Sequence, residues 1–318
     1  MENYYQNTEY VSNSMLGWLK VSPRYFIKKV NKEEEVNEES SSMELGSMIH
    51  LALLEPDKFT VSSVDKPTGK MGVYCDALIQ GKTKEEAKEI ATFSYKQETL
   101  DKKFEGLPAT YVEERLANKD KIFLDSRTKF LVDKCVDSIL NSTESFKLLN
   151  EENSENELEL YWEKDGIKKK GKVDKLILSE LDNGVVFNVD VKTTSSHIYQ
   201  VPSKIKETPT YKVWDDFEIK GNSYMGSFIK YGYYRQLAMY DEGIKAYIKE
   251  KYDKDVEVIH LHVVVNTTSF ESIVYKFTDY WIELGKRELH ELLEKYRWHK
   301  ETNYWDTPEE FVDGIVKI

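Results

Sequence analysis

Between Glu157 and Lys192, polar and apolar positions alternate with the period of a β-strand. Glu157, Glu159, Tyr161 and Glu163 interleave with Leu158, Leu160 and Trp162, so the acids are expected on one face and the apolar side chains on the other. Asp165-Gly166 reads as a hairpin turn. A second strand is expected from about Lys170 to Leu178, carrying Asp174, and Asp182-Asn183-Gly184 reads as the turn that follows it. The third strand, Val185 to Lys192, is nearly all apolar until it delivers Asp190 and Lys192. These two stand at i and i+2 and point to the same side. An acid and a lysine at the end of a buried strand are costly unless they bind something.

Elsewhere the apolar spacing is mostly helical. Ser12 is placed to cap a helix containing Met15, Leu16, Trp18 and Leu19, and Ser22-Pro23 restarts one with Tyr25, Phe26 and Ile27. Residues 31–42 are acidic and polar and read as a loop. Met43 to Glu55 reads as an apolar helix stopped near Pro56, with His50 in its middle. On its own, that histidine is more readily a buried ring satisfied by a neighbour than a ligand. Thr83 to Glu86 fits a capping box, residues 110–119 read as a helix, and Ser126 is placed to cap another that buries Cys135. A helix is expected from Phe228 to about Lys249, with Gln236 and Tyr240 one turn apart on one face. Val256 to Val265 and Ile273 to Phe277 read as strands, and 279–297 as the last amphipathic helix. His260 and His262 share one strand face, which reads as solvated more readily than as a metal pair.

At 318 residues the chain is long enough to bury a full core. No apolar run approaches the length of a membrane span and no secretory signal is visible, so a cytoplasmic protein is expected. Its two cysteines suit a reducing compartment and exclude a four-cysteine iron–sulfur cluster within this chain. The net charge of −12 argues superficially against a nucleic-acid partner, but residues 164–240 hold 13 Lys/Arg against 9 Asp/Glu. There is no Walker-type phosphate loop, which counts against an NTPase.

Glu157, the run Gly171 to Asp174, and Asp190 with Lys192 form a pattern: an acid, then Gly-x-x-Asp, then Asp-x-Lys after an apolar strand. Hard oxygen ligands suit Mg2+, with Mn2+ as a substitute. A lysine beside them can orient a water and stabilise charge on a scissile phosphate. That chemistry is metal-assisted phosphodiester hydrolysis.

The chain resembles the PD-(D/E)xK nuclease superfamily and, within it, the RecE-type exonucleases of phages and prophages. The likeness runs through Ser12 to Tyr25, the Leu-Gly-x-x-x-His helix from Leu45 to His50, and Glu157 with Tyr161-Trp162. It continues through Gly171 to Lys175, Val189 to Thr194 and the Gln-x-x-x-Tyr helix of Gln236 and Tyr240. Val173 stands where the superfamily's name has proline. Residues 57–125 and 199–228 match no motif of the family.

The resemblance implies an α/β (α+β) fold: a restriction-endonuclease-like core with a mixed central β-sheet flanked by helices, plus a helical elaboration. One nuclease domain is expected over 1–318, with that elaboration at 57–150 and a lysine-containing loop insertion at 199–228. The implied metal ligands are Asp174, Asp190, His50 and the Val191 carbonyl, with Glu157 supporting the site and Lys192 aligning water. Gln236 and Tyr240 are implied to position the phosphate backbone. The implied task is resection of linear duplex DNA from the 5′ end, leaving a strand for a single-strand annealing protein. Processive members of such families enclose DNA in a homo-oligomeric ring, although no interface is legible in this sequence. The rival readings are a CRISPR-associated, helicase-associated or structure-specific endonuclease of the same fold, a nuclease acting on RNA, and a catalytically inactive DNA-binding protein.

Overall fold

The structure is a computed structural model and describes residues 4–32, 41–61, 63–119, 121–124, 126–199 and 223–306. In chain order the elements begin with α1 (Asn13–Val21), α2 (Pro23–Val30), α3 (Ser41–Leu54), β1 (Phe59–Val61), α4 (Gly69–Ile79), α5 (Lys84–Ile90) and α6 (Gln97–Phe104). They continue with α7 (Leu107–Ala117), β2 (Ile122–Leu124), α8 (Ser126–Asn141), α9 (Thr143–Leu149), β3 (Ser154–Lys164), β4 (Ile167–Ile177) and β5 (Val185–Thr194). The last are α10 (Tyr224–Lys230), α11 (Tyr233–Tyr252), β6 (Glu257–Asn266), β7 (Ser272–Lys276) and α12 (Asp279–Thr302). Two compact units emerge: residues 1–42 with 138–318, and residues 43–137. Most of the lysine-containing segment expected at 199–228 lies outside the described residues. Among the described residues no helix is long and apolar enough to cross a membrane.

The first unit is built on a five-stranded sheet in the order β3-β4-β5-β6-β7. Only β5 and β6 run parallel; the other pairings are antiparallel, so the sheet is mixed as expected. The β3–β4 hairpin turns through Asp165 (φ 54°) and Gly166 (φ 72°), the two left-handed residues that a primed turn needs. β5 lies between β4 and β6 and hides Val186, Val189 and Val191, which accounts for its nearly unbroken apolar run.

The alternation in β3 is not continuous. Glu155 is held by Tyr247, Lys251 and Tyr252 of α11, and Trp162 rests against Gly243 of the same helix. An odd and an even position therefore meet one helix. The parity changes at Glu157, which has φ 52° and leaves a gap in the β3–β4 ladder between Asn156↔Lys175 and Leu158↔Val173. This is the behaviour of a β-bulge. Glu157 therefore parts from Glu159, Tyr161 and Glu163, which stay exposed.

The helix expected from Phe228 to Lys249 is two helices. Gly232, at φ 68°, breaks it, and Arg235 lies over the glycine where a Cβ would be 2.9 Å from the guanidinium. Arg235 is buried; it ion-pairs with Glu288 of α12 at 2.9 Å and donates to Asn13 of α1 at 2.8 Å, joining three helices. The Ser12 cap forms as expected and Ser22 caps the restarted helix α2, whereas Ser126, expected as a cap, is the first residue of α8 itself. Trp305 stacks on Phe26 with ring centroids 4.9 Å apart.

The second unit has its own small core. Tyr74 is surrounded by Ala77, Ala87, Ala91 and Leu100, with Phe93 and Phe104 edge-on to its ring. The Thr83–Glu86 capping box is complete, at 3.2 and 2.8 Å. Cys75 and Cys135 are free, buried thiols whose pKa burial pushes up to about 11, so Cys135 behaves as core.

Glu242 ties α11 to the β3–β4 hairpin. It accepts from the Trp162 indole at 2.7 Å and from the buried Lys169 ammonium at 2.5 Å. Burial raises its pKa, but Lys169 and Trp162 outweigh that and hold it below the usual carboxylate range. Such a group takes up its proton at lower pH than it does in the unfolded chain. Its contribution is therefore complete above the unfolded value of 4.5 and is lost as pH falls through the folded one. Glu242→Gln should cost about 1–3 kcal/mol near neutral pH by leaving Lys169 without its counter-charge. The difference from the parent chain should shrink below pH 4, and urea denaturation at the two pH values measures both effects.

Candidate active site

The β4–β5 ladder stops at Lys175↔Val189. One step further the Val191 amide donates to Oδ2 of Asp174 at 2.7 Å. A carboxylate has replaced a strand carbonyl as acceptor, so Asp174 is locked to the segment that carries Asp190 and Lys192. Asp174 also stands opposite the Glu157 bulge. The two interruptions bring these acids together: a carboxylate oxygen of each lies within 4.8 Å of the other. Two full charges that close repel by about 3 kcal/mol at an effective dielectric near 20. Lys172 offsets this by pairing with Glu157.

Asp190 is buried, at 2% exposure, and is held from two sides. Lys192 reaches its Oδ2 at 2.5 Å, and the Gln236 amide donates to its Oδ1 at 3.3 Å. The Lys192 ammonium also lies 4.8 Å from the centre of the Tyr233 ring. Burial works against the ammonium, but Asp190, Tyr233 and Asp174 outweigh it and hold its pKa above the ordinary lysine value. Lys192 is therefore a fixed cation, suited to placing charge and donating hydrogen bonds.

Tyr240 is placed differently from a residue offered to a substrate. Its ring covers Gly171, where a Cβ would lie 2.9 Å from the ring, and its hydroxyl donates to the Lys172 carbonyl at 2.7 Å. Burial, reinforced by Asp190, keeps the phenol protonated. It fixes β4 beside the Glu157–Lys172 pair. Of the expected site residues, the first unit thus gathers Glu157, Asp174, Asp190, Lys192 and Gln236, with the Val191 amide between the acids and Tyr240 behind them. His50 stands on α3 in the second unit and is half-buried.

Lys172 and His262 also belong to this neighbourhood and were not marked by the sequence pattern. Lys172 looks like one of many lysines until the bulge sets Glu157 beside it. His262 is not on a solvated face: it is 1% exposed, next to Asp190, and His260 is equally buried against Asn188. Burial drives the His262 pKa down to about 3 although Asp190 pulls it up, so the ring is neutral.

Carboxylate oxygens of Glu157 and Asp174 lie close enough together for their hard donors to suit a divalent cation, and Asp190 precedes the residue whose amide Asp174 accepts. The lysines that pair with Glu157 and Asp190 mark the same sites as places for positive charge.

A sequence model of the family described as a PDDEXK-like domain of unknown function (DUF3799) matches residues 12–311. No curated protein matches the chain. A crystal structure of a "Putative exonuclease" from Eubacterium rectale is similar in fold, with 14% identity, a TM-score of 0.51, and coverage of 100% of this chain and 93% of that one.

Gly171→Ala should force Tyr240 off the strand, because the obstacle is a ring already anchored by its hydroxyl. A loss of about 1–3 kcal/mol in stability is expected by thermal or urea unfolding. Tyr240→Leu on the same background should recover part of it.

Proposed function

The chain belongs to the PDDEXK-like family, within the PD-(D/E)xK nuclease superfamily, and from that premise we propose that it is a divalent-metal-dependent exonuclease of linear double-stranded DNA. The observation that carries this reading is the union of Asp174, the Val191 amide, Asp190 and Lys192 at one end of the sheet. Asp174, Asp190 and the Val191 carbonyl would hold Mg2+, or Mn2+ in its place, with Glu157 as a further or water-mediated ligand. His50 joins this set on the sequence likeness. A bound divalent cation would supply Lewis-acid polarisation of the scissile phosphate and a more acidic water.

The side chains divide the remaining work. Lys192, held charged, orients the attacking water and offsets charge that builds on the phosphate. Gln236 keeps Asp190 turned toward Lys192. Tyr240 holds the β4 backbone so that Glu157 and Asp174 keep their spacing, and Gln236, the less buried of the two, is the better placed to meet the DNA backbone. The lysines of the 199–228 segment would contact phosphates without reading sequence. Degradation from the 5′ end, a single-strand annealing protein as partner, a role in phage-type recombination and assembly into a ring follow from the RecE likeness.

The test is digestion of linear duplex labelled at one end, with Mg2+. The parent chain should release the 5′ label early, EDTA should stop the reaction, and closed circular DNA should survive. Asp190→Ala, Asp174→Ala and Lys192→Ala should each lower the rate by on the order of 100-fold or more while remaining folded. Equal cleavage by the parent chain and all three variants would overturn the site; cutting of closed circles would turn the reading to an endonuclease. His50→Ala tests the added ligand separately: the Mg2+ concentration for half-maximal cleavage should rise, a defect expected to disappear at high Mn2+.

A further inference from the structure

β6 brings a histidine into the site for which the reaction above has no use. His262 and Asp190 are register partners in the parallel β5–β6 pair. The His262 ring is enclosed by Phe228, Tyr233 and Phe277, with centroids 5.9, 6.1 and 4.6 Å away. Its Nδ1 lies 2.5 Å from the hydroxyl of Tyr224, itself 1% exposed at the start of α10. Its Nε2 lies 4.0 Å from Oδ2 of Asp190.

The tautomer follows from these contacts. A neutral imidazole carries one N–H and one bare nitrogen. A buried phenol gives its proton to the bare nitrogen, so Tyr224 makes Nδ1 the acceptor and leaves the ring proton on Nε2. That N–H faces Asp190. Among the described residues Nε2 has no hydrogen-bond partner, although it is fully buried. Buried donors are almost always satisfied. The oxygen in front of it is about 1 Å beyond hydrogen-bond length, and it is the one that Lys192 now holds.

We propose that His262 is a positioning residue for Asp190: its Nε2–H takes the carboxylate oxygen when Lys192 turns to substrate, and Tyr224 fixes the tautomer that allows it. A carboxylate that holds a metal is normally steadied by such a partner behind it. The inference rests on the reading of Asp190 as a metal ligand. It explains why two aromatic-caged polar groups, Tyr224 and His262, are kept in line behind an acid when apolar residues of the same size would fill the space without leaving a donor over.

Binding of Mn2+ to the full chain, followed by loss of the free-ion electron paramagnetic resonance signal, tests this without any turnover. His262→Leu fills the cage but has no donor, and its Mn2+ affinity should fall by about 10- to 100-fold. His262→Gln carries an amide N–H close to the Nε2 position and should stay within about 3-fold of the parent chain, a rescue that a packing role would not give. Tyr224→Phe frees the tautomer and should fall between them. His262→Leu binding Mn2+ like the parent chain, or His262→Gln binding as poorly as His262→Leu, overturns the proposal. If His262→Leu does not fold, Tyr224→Phe with parental affinity overturns it. Asp190→Asn serves as the reference. Undiminished Mn2+ binding by that variant would sink the metal reading and this inference with it, whereas its loss beside an unaffected His262→Leu would sink the inference alone.

Discussion

Like charges must be held together at the end of this sheet, and the rest of the first unit is arranged to make that tolerable. Glu157 and Asp174 approach within 4.8 Å, and Asp190 is sealed from water beside them. None of this would persist without the cations that come from the same strands: Lys172 beside Glu157 and Lys192 beside Asp190. The backbone contributes as well, through the Val191 amide that Asp174 takes from the ladder. Glu157 meets Lys172 across the β3–β4 hairpin, and Asp190 meets Lys192 two residues along β5, so each acid draws its counter-charge from its own or a neighbouring strand.

α11 makes that distortion durable. Tyr240 and Glu242 clasp the hairpin, Gln236 reaches Asp190, and Arg235 binds the helix to α1 and α12. One helix therefore serves both as scaffold and as a source of site contacts, which is why its residues alternate between buried packing and polar reach. The Gln-x-x-x-Tyr spacing has a mechanical meaning here. One turn separates a side chain that touches the acid on β5 from one that touches the backbone of β4.

Much of this was legible in the residues. The strands of the hairpin, the Asp165-Gly166 turn, the Ser12 cap and the Thr83 box all form where their local chemistry requires, because each depends only on near neighbours. The mixed sheet and the restriction-endonuclease-like fold class followed from the ordered motifs, and the family match over residues 12–311 agrees with them. What could not be read depended on distant partners. A period of two assumes an unbroken strand, and nothing in Asn156-Glu157-Leu158 announces that Glu157 turns left-handed. The Tyr231-Gly232-Tyr233 step hides a helix break in an otherwise apolar stretch. His260 and His262 alternate with aliphatic residues as a solvated face would, and only the packing of α10 and α11 over that face buries them. Tyr240 matched a motif, but its hydroxyl's partner, a main-chain carbonyl, carries no signature in any sequence.

The parallel pairing of β5 with β6 has a consequence for how the site comes into being. The β3–β4 hairpin closes across a turn of two residues, a contact with little loop entropy to meet. Asp190 finds His262 only after the chain from Ser195 to Val256 has been gathered into a crossover, a closure whose entropy must be met before its contacts exist. The outer acids thus meet across a hairpin, and the inner one meets its histidine across a crossover. Gln236 and His262, the two side chains behind Asp190, both come from beyond that crossover's start. The support of the inner acid is therefore the part of the site that depends most on long-range structure, and local opening of that crossover would loosen it before the hairpin that carries the outer pair.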